Sequence, residues 1–230
     1  MDNPVAVIGG SGRLGRLIAQ RLLDRGEPVR AIGRSVQHAR RSLPPGALYF
    51  EGDVRRPETL IEPLAGTSAL VYCVAPGTAD SGPDRPETTV YQGVRNALAA
   101  VAEGGHRPRV VLVSQIHATH LAHPLNAYGR VLEWRLAGEN AVRDSGLPYT
   151  VIRPGWLTDT REAGERVRLE QGDQGFGQVS RPDLAEACVQ ALLQPAADGV
   201  TFEIFNEPGS IFPAWSEAFA GLQGDRTPVG

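Results

Sequence analysis

The feature that most constrains the fold of this chain is a regular alternation of short β-rich runs with helical patterns. Because the β-rich runs are apolar almost throughout, we expect strands that are covered on both faces. These runs span 4–8, 28–32, 47–51, 69–74, 109–114 and 149–153. Helical spacing and end signals lie at about 12–25, 55–65, 87–103 and 125–145. Repeated strand-helix-strand units predict a doubly wound α/β fold with a parallel sheet.

Composition narrows the class of protein further. The 230 residues, 41% of them hydrophobic, suffice for one sizeable domain and are few for two, so we predict a single domain over 1–230. A formal net charge of -3 does not favour nucleic acid as a partner. The first apolar run is cut by Gly9 and Gly10, and no later run approaches membrane-spanning length, so we expect a cytoplasmic protein without a membrane partner. Cys73 and Cys188 are predicted to be reduced core thiols.

A glycine-rich turn follows the first predicted strand directly. In GGSGRLG, the glycines at 9, 12 and 15 recur at three-residue spacing, immediately before an amphipathic helix. Glycine lets the backbone approach a phosphate, and the start of a helix offers free N–H groups to an anion. The turn therefore predicts a dinucleotide site, with the candidate cofactor-binding residues Gly9, Ser11, Gly12, Arg13, Leu14 and Gly15.

The end of the second predicted strand bears on which dinucleotide would bind. Gly33 and Arg34 stand where an acidic side chain would accept the ribose hydroxyls of NAD. An arginine suits the 2′-phosphate of NADP, and Arg13 could reach the same group. Both arginines could instead be ordinary surface residues. The pattern favours NADP(H) over NAD(H).

Two further strand ends add candidate cofactor contacts. Asp53 and Val54 follow the third strand and could meet the adenine, although Asp53 could equally cap the next helix. Ala75 and Pro76 follow the fourth strand, where small residues would let backbone approach the cofactor. An ordinary turn explains that stretch equally well.

Taken together, these segments resemble the short-chain dehydrogenase/reductase superfamily, specifically its atypical, NmrA-like NAD(P)-binding branch. The likeness spans almost the whole chain, and its most specific parts are the glycine spacing and SGLPYTVIRPG. The stretches that carry it are GGSGRLG (9–15), GDV (52–54), VYQGVRNAL (90–98), VLVS (111–114), SGLPYTVIRPGWLT (145–158) and SRPDLAEACVQAL (180–192). The resemblance implies that Pro154, Gly155, Trp156 and Leu157 lie beside the nicotinamide.

Relatives that reduce carbonyls use a serine at the end of strand five and a Tyr-x-x-x-Lys pair, and this chain contains no lysine. Ser114 matches the serine by position. Alignment through the end of the helix places Arg135 at the lysine position, and Tyr128 then lies one turn early. On a continuous helix, Tyr128 and Arg135 would share a face about 10 Å apart, too far to touch easily. An arginine would lower the pKa of a phenol but cannot relay a proton.

The loop after strand five, SQIHATHLAHPLNAY, supplies another candidate. His117 could donate a proton to a substrate near neutral pH. Histidines at 117, 120 and 123 also suggest a metal, but no nearby carboxylate or cysteine completes a ligand set, so we predict no metal site. The candidate catalytic residues are therefore Ser114, Tyr128, His117 and Arg135.

The sequence thus predicts an NADP-dependent oxidoreductase that transfers hydride to a small, partly apolar carbonyl or activated C=C substrate, as a monomer or homodimer. Residues 154–180 and 201–230 are expected to form the substrate side, and 76–86 and 170–178 to be mobile loops over the site. The missing lysine motivates the alternative of a non-catalytic NADP(H)-binding redox sensor. Phe212, Trp215 and Phe219 are predicted to be core or a substrate lid.

Overall fold

The computed structural model describes residues 3–209 and 212–225, and its strands form one mostly parallel sheet. The strands are β1 (Val5–Ile8), β2 (Val29–Gly33), β3 (Leu48–Glu51), β4 (Ala69–Tyr72), β5 (Arg109–Val113), β6 (Tyr149–Pro154), β7 (Trp156–Thr158), β8 (Glu165–Glu170), β9 (Gln178–Ser180) and β10 (Val200–Pro208). Each of the six predicted strands is present within two residues of its expected ends. The strand predicted at 201–206 is β10.

Helices cover both faces of this sheet. They are α1 (Gly15–Leu23), α2 (Val36–Ser42), α3 (Ile61–Leu64), α4 (Gln92–Glu103), α5 (Val131–Asp144), α6 (Arg181–Leu193) and α7 (Trp215–Ala220). Short 3₁₀ turns lie at Pro57–Thr59, Pro124–Ala127 and Pro195–Ala197, and a π-helical turn at Glu87–Tyr91 precedes α4. Within the described residues, no helix is long and apolar enough to cross a lipid bilayer.

The strand order confirms the doubly wound fold. It runs β3-β2-β1-β4-β5-β6-β10, with these seven strands parallel, so the order reverses between β1 and β4. A reversal of this kind opens a crevice at the carboxyl ends of the strands, where ligands of such folds bind. On the far side of β10, β8 and β9 pair with it antiparallel, and β7 pairs with β9.

The core lies in two layers because successive strand residues point to opposite faces. Val5 and Val7 of β1 pack with α1 and α6, whereas Ala6 and Ile8 pack with α3, α4 and α5. The central strands are therefore covered on both faces, as predicted, whereas the edge strand β3 is only partly covered, with Leu48 64% exposed. Phe219 is buried against Phe202, which confirms the core interpretation of the aromatic stripe in α7.

The predicted start of the fourth helix, at about residue 125, is wrong. Gly129 and Arg130 have φ of 59° and 55°, in the left-handed region, so no α-helix passes through them. Tyr128 ends the 3₁₀ turn at Pro124–Ala127, and α5 starts at Val131. The expectation that Tyr128 and Arg135 share one face of a helix is therefore corrected.

Two regions form strands or a helix that the sequence analysis did not predict. Residues 154–180 form β7, β8 and β9, and pairing with the distant β10 organises β8 and β9. The polar segment 36–42 forms α2, where the Ser35 side chain accepts from the His38 N–H. Only Ala39 of α2 is buried, so this helix lacks the apolar stripe that would have revealed it.

Candidate active site

A cleft of about 610 Å³ lies across the carboxyl ends of β1 to β6, at the point where the strand order reverses. Its walls come from the glycine turn, from the segments after β2, β3 and β4, and from β5, β6 and α5. Most of the predicted cofactor-binding residues line it. These are Gly9, Ser11, Gly12, Arg13, Leu14, Gly15, Arg34, Asp53, Val54, Ala75, Pro76 and Pro154.

The glycine turn is built closely enough to exclude side chains. The N–H groups of Gly9 and Gly10 donate to Ile32 O at 2.9 and 3.1 Å, and the Gly12 N–H donates to Gly9 O at 2.9 Å. Gly9 has φ of 87°, and a Cβ at Gly15 would overlap Gly9 O. A Cβ at Gly12 would meet only Gly9 O, at 3.1 Å, and otherwise face open space. This cradle, at the start of α1, fits a diphosphate.

At the cleft end formed by β2 and β3, two arginines converge on one carboxylate. Arg34 Nη1 lies 2.6 Å from Asp84 Oδ1, and Arg55 Nη1 lies 2.9 Å from the same atom. Arg55 also donates through Nε to both carboxylate oxygens of Asp53, at 2.8 and 3.1 Å. Those bonds lower the pKa of Asp53, against the effect of its partial burial. Arg13 instead pairs with Asp159, which also binds Arg181 at 2.7 Å.

At the opposite end, two buried side-chain atoms of residues that line the cleft have no hydrogen-bond partner among the described residues. They are Ser114 Oγ and Arg135 Nε, from side chains that are 3% and 8% exposed as residues. Arg135 is held by Nη1, which donates to Val113 O at 2.9 Å. Burial lowers the pKa of Arg135 to about 10, so the guanidinium remains charged at neutral pH. Unpartnered buried donors are costly unless a ligand satisfies them, so these atoms fit a bound acceptor group.

The other two candidate catalytic residues lie outside the cleft lining. Tyr128 is 56% exposed, and the left-handed backbone after it turns the chain before α5 begins. His117 stands beyond the end of β5, also in a left-handed conformation with φ of 66°. The structure therefore brings Ser114 and Arg135 together at the cleft and does not bring Tyr128 to them.

His117 belongs to a group of flat side chains that we call the aromatic ledge: the half-buried His117 and His123 and the exposed Phe176 and Trp156. The rings of His117 and His123 stack at 4.5 Å, and Phe176 stacks on His117 at 6.5 Å. Phe176 is 71% exposed and Trp156 is 44% exposed. Burial, and then the neighbouring His123, lower the pKa of His117, which favours the neutral ring.

The ledge continues from the cleft end that holds Ser114. The Ile116 N–H, one residue before His117, donates to Pro154 O at 3.2 Å, and Pro154 lines the cleft. The Trp156 N–H donates to Gly177 O at 2.9 Å, next to Phe176. Leu157 follows Trp156 and also lines the cleft. Backbone hydrogen bonds therefore join the segments of the ledge to residues that line this end of the cleft.

A buried carboxylate holds the two loops of the ledge together. Asp173 accepts from the His117 N–H at 2.6 Å and from the Thr119 N–H and Oγ at 2.9 and 2.8 Å. Its own N–H donates to Glu203 Oε2 at 3.0 Å. The segment 170–178, predicted to be a mobile loop, is thus anchored at its centre.

Gly155 and Trp156 stand in sequence between the cleft-lining residues Pro154 and Leu157, and their assignment beside the nicotinamide stays a prediction. A Cβ at Gly155 would meet Gly177 O at 2.5 Å and the Phe205 ring at 2.8 Å, so this glycine serves packing. Trp156 opens β7 and contributes to the ledge. Neither residue is part of the cleft lining, whereas Pro154 and Leu157 are.

Sequence reasoning missed four charged or hydroxyl-bearing residues of the cleft: Arg55, Asp84, Thr89 and Arg181. Arg55 could have been predicted, because it directly follows the GDV stretch and has a charged side chain at a strand end. Asp84 and Thr89 lie in and after a long loop, where spacing says little about direction. Within the described part of the chain, no group of three His, Cys, Asp or Glu side chains has the geometry to hold a metal ion.

Comparison with known proteins agrees with this geometry. A family described as NAD(P)H-binding matches residues 9–195. Sanguinarine reductase of Eschscholzia californica is 28% identical, with 97% of this chain and 96% of the relative covered. An uncharacterized chloroplastic protein of Arabidopsis thaliana is 30% identical, with 96% and 82% covered.

Two further similarities bear on activity and on fold. An NAD(P)H azoreductase of Xenophilus azovorans is 24% identical, over 87% of this chain and 67% of its own length. Among solved structures, an oxidoreductase of Lactococcus lactis superposes with a TM-score of 0.78, over 97% of this chain and 99% of that one. At 18% identity, this last likeness concerns the fold alone.

Proposed function

This chain belongs to the NAD(P)H-binding family of atypical short-chain dehydrogenase/reductases, and from that premise we propose that it is an NADP-dependent reductase of flat, conjugated acceptors. The observation that carries the proposal is the pair of unpartnered buried donors, Ser114 Oγ and Arg135 Nε, at the cleft end from which the aromatic ledge extends. Donors in such a place are suited to a substrate atom that becomes electron-rich during reduction.

Different residues of the cleft would bind different parts of the cofactor. The turn from Gly9 to Gly15 would hold the diphosphate, Arg34 the 2′-phosphate, and Asp53 with Val54 the adenosine. Ala75, Pro76 and Pro154 would lie along the dinucleotide toward the nicotinamide. When bound, the reduced nicotinamide supplies a hydride to the acceptor.

Ser114 and Arg135 act on the acceptor from the other side. The Ser114 hydroxyl donates to the atom that gains electron density, and the Arg135 guanidinium stabilises the developing negative charge. With a pKa of about 10, Arg135 keeps its proton at neutral pH, so the proton that completes the reduction comes from His117 or from solvent. An acceptor that needs little acid assistance suits this arrangement.

The ledge supports the choice of substrate class. Exposed rings bind flat conjugated molecules by stacking, and here they continue from the cleft. Two relatives are named as reductases of sanguinarine and of azo compounds, and an azo group is a double bond conjugated with its substituents. We therefore propose C=C, C=N or carbonyl groups that are conjugated with flat rings.

A catalyst requires an open space beside the nicotinamide, whereas a redox sensor could fill that space with side chains. In this structure the cleft stays open as far as Ser114, Arg135 and Leu157, which favours a catalyst. The finer assignments of a cytoplasmic location and a monomer or homodimer remain part of the proposal, and several plant relatives are named as chloroplastic.

The test is NADPH oxidation with a panel of flat, conjugated acceptors, using wild type, Ser114→Ala and Arg135→Met. Loss of a donor to developing charge should lower kcat about 100-fold while leaving NADPH affinity within about twofold. Ser216→Ala on the exposed face of α7 is the matched control. Binding of NADPH without turnover on any acceptor would support the sensor, and unchanged kcat in both variants would remove the two donors from the reaction.

A further inference from the structure

The adenosine end of the cleft contains a carboxylate from a distant loop held between two guanidinium groups. Asp84 belongs to the 76–86 loop after β4, whereas Arg34 follows β2 and Arg55 follows β3. The same oxygen, Oδ1 of Asp84, lies 2.6 Å from Arg34 and 2.9 Å from Arg55. The loop is closed on itself by the Gly77 N–H, which donates to Asp84 O at 2.8 Å.

The two arginines differ in how firmly they are placed. Asp53 engages Arg55 through Nε and Nη2, and this leaves Nη1 pointing to Asp84. The side chain of Arg55 is 25% exposed, whereas that of Arg34 is 58% exposed. Arg55 is thus a pre-positioned cation on the cleft wall, and Arg34 is a more mobile one beside it.

We propose that Asp84 occupies the place of the cofactor's 2′-phosphate, that Arg55 is a second phosphate ligand beside Arg34, and that the phosphorylated cofactor displaces Asp84 and releases the 76–86 loop. This rests on the proposed function for the identity of the nucleotide. A phosphate monoester carries more negative charge than a carboxylate and offers three acceptor oxygens, so two arginines bind it more strongly.

The exchange makes the loop sensitive to one feature of the nucleotide. A ribose with a free 2′-hydroxyl has no anion to offer the two arginines, so Asp84 keeps its place and the loop stays closed. A 2′-phosphate competes directly with the carboxylate for the same donors. Asp84 therefore sharpens the discrimination between the two cofactors and couples it to the position of the loop.

The experiment uses nucleotide fragments, so that binding is measured without turnover. Adenosine 2′,5′-bisphosphate and 5′-AMP are titrated calorimetrically into wild type, Arg55→Gln and Asp84→Asn. Arg55→Gln should weaken the bisphosphate about tenfold, the usual effect of losing a charge-assisted bond, and leave 5′-AMP within about twofold. Asp84→Asn should tighten the bisphosphate several-fold and leave 5′-AMP unchanged. Arg56→Gln, which removes a neighbouring arginine paired with Glu58 outside the cleft, is the control.

Hydrogen exchange provides the second readout. Amides of 76–86 should exchange faster in wild type with the bisphosphate bound than with 5′-AMP bound. Equal exchange with the two ligands would overturn the proposal. So would an Arg55→Gln or Asp84→Asn effect that is the same for the bisphosphate and for 5′-AMP, because the ion pairs of Asp84 would then be ordinary exposed pairs that contribute little. If the exchange proposal failed in this way but the protein still oxidised NADPH with an acceptor, the reductase function would stand. If the fragments bound as expected but no acceptor was reduced, only the reductase function would be contradicted.

Discussion

Gly12 and Gly15 belong to the same turn, but an added methyl group would be crowded to different degrees at the two positions. At Gly15 it would overlap the backbone of Gly9 and Gly10, whereas at Gly12 it would meet only Gly9 O, at 3.1 Å. Gly15→Ala should therefore lower the free energy of unfolding by about 1–3 kcal/mol, as overpacking does. Gly12→Ala should keep its stability within about 1 kcal/mol and lose dinucleotide affinity.

Thermal unfolding and calorimetric titration of both variants check this pair. Gly15→Ala should melt several degrees below wild type, whereas Gly12→Ala should melt with wild type and bind NADPH poorly. Equal melting temperatures for the two variants, or full NADPH affinity in Gly12→Ala, would contradict the assignment of a packing role to one glycine and a binding role to the other.

His117 predicts a pH dependence of stability. Because burial and His123 lower its pKa in the folded protein, the unfolded chain takes up a proton first as the pH falls below about 6.5. The folded state then loses stability relative to the unfolded state. His117→Asn removes this loss, and asparagine tolerates the left-handed backbone. The fall in melting temperature between pH 7.5 and 5.5 should be smaller in the variant; an equal or larger fall would contradict the assignment.

At this scale, the predictable site residues were those at the ends of apolar runs. The glycine turn, Arg34 and Ser114 lie in the cleft, because carboxyl ends of parallel strands meet at one edge of a sheet. Arg135 of α5 also lines the cleft, and it was found through the lysine position of the resemblance. Asp84 and Asp173 were not predictable. Each finds its partners through a loop whose path depends on contacts with distant strands, and their sequence neighbourhoods are those of ordinary turns.

Among the elements, α5 is tied to the sheet by charge as well as by apolar packing. Glu139 is fully buried and accepts from Arg153 of β6 at 3.0 and 2.7 Å, and from Arg143 at 3.0 Å. It lies one turn after Arg135, so the same contacts fix the helix that carries a proposed catalytic side chain. Removing this carboxylate would leave Arg153 buried beside fewer acceptors.

Glu139→Ala should therefore cost about 3–5 kcal/mol, the range for breaking a buried ion pair by removing one partner. For a domain of this size, that is a fall in melting temperature of about 6–20 °C. Glu133→Gln, which removes the i, i+3 surface pair with Arg130, is the matched control and should cost less than about 1 kcal/mol. Similar melting temperatures for the two variants would show that the buried pair does not anchor α5.

The boundaries of α5 also show where local pattern fails. Apolar spacing continues backward through 125–130, but the left-handed pair Gly129 and Arg130 interrupts the helix. The Gly129 N–H donates to the Asp80 carboxylate at 2.8 Å, so a loop far away in sequence stabilises this break. Helical periodicity predicted that the element exists, but not where it begins.

For the whole molecule, cofactor binding should appear as added stability, since a ligand that binds only the folded state stabilises it by mass action. At 100 times its Kd, NADPH should add about 2.7 kcal/mol, or roughly 5–10 °C in melting temperature. NADH at the same concentration should add less, because it cannot satisfy Arg34. Arg34→Ala should reduce the NADPH shift toward that of NADH, with Arg55 keeping part of the difference; equal shifts in wild type would contradict the preference for the phosphorylated cofactor.

The strand order has a consequence for the chain while it is being synthesised. β6 lies between β5 and β10, and β10 is made only after the whole of α6. On the ribosome, therefore, the β10-facing edge of β6 keeps its backbone groups unpaired until residues 200–204 have emerged, and the family match itself ends earlier, at residue 195. That interval is when the nascent sheet is most open to pairing with a strand of another chain.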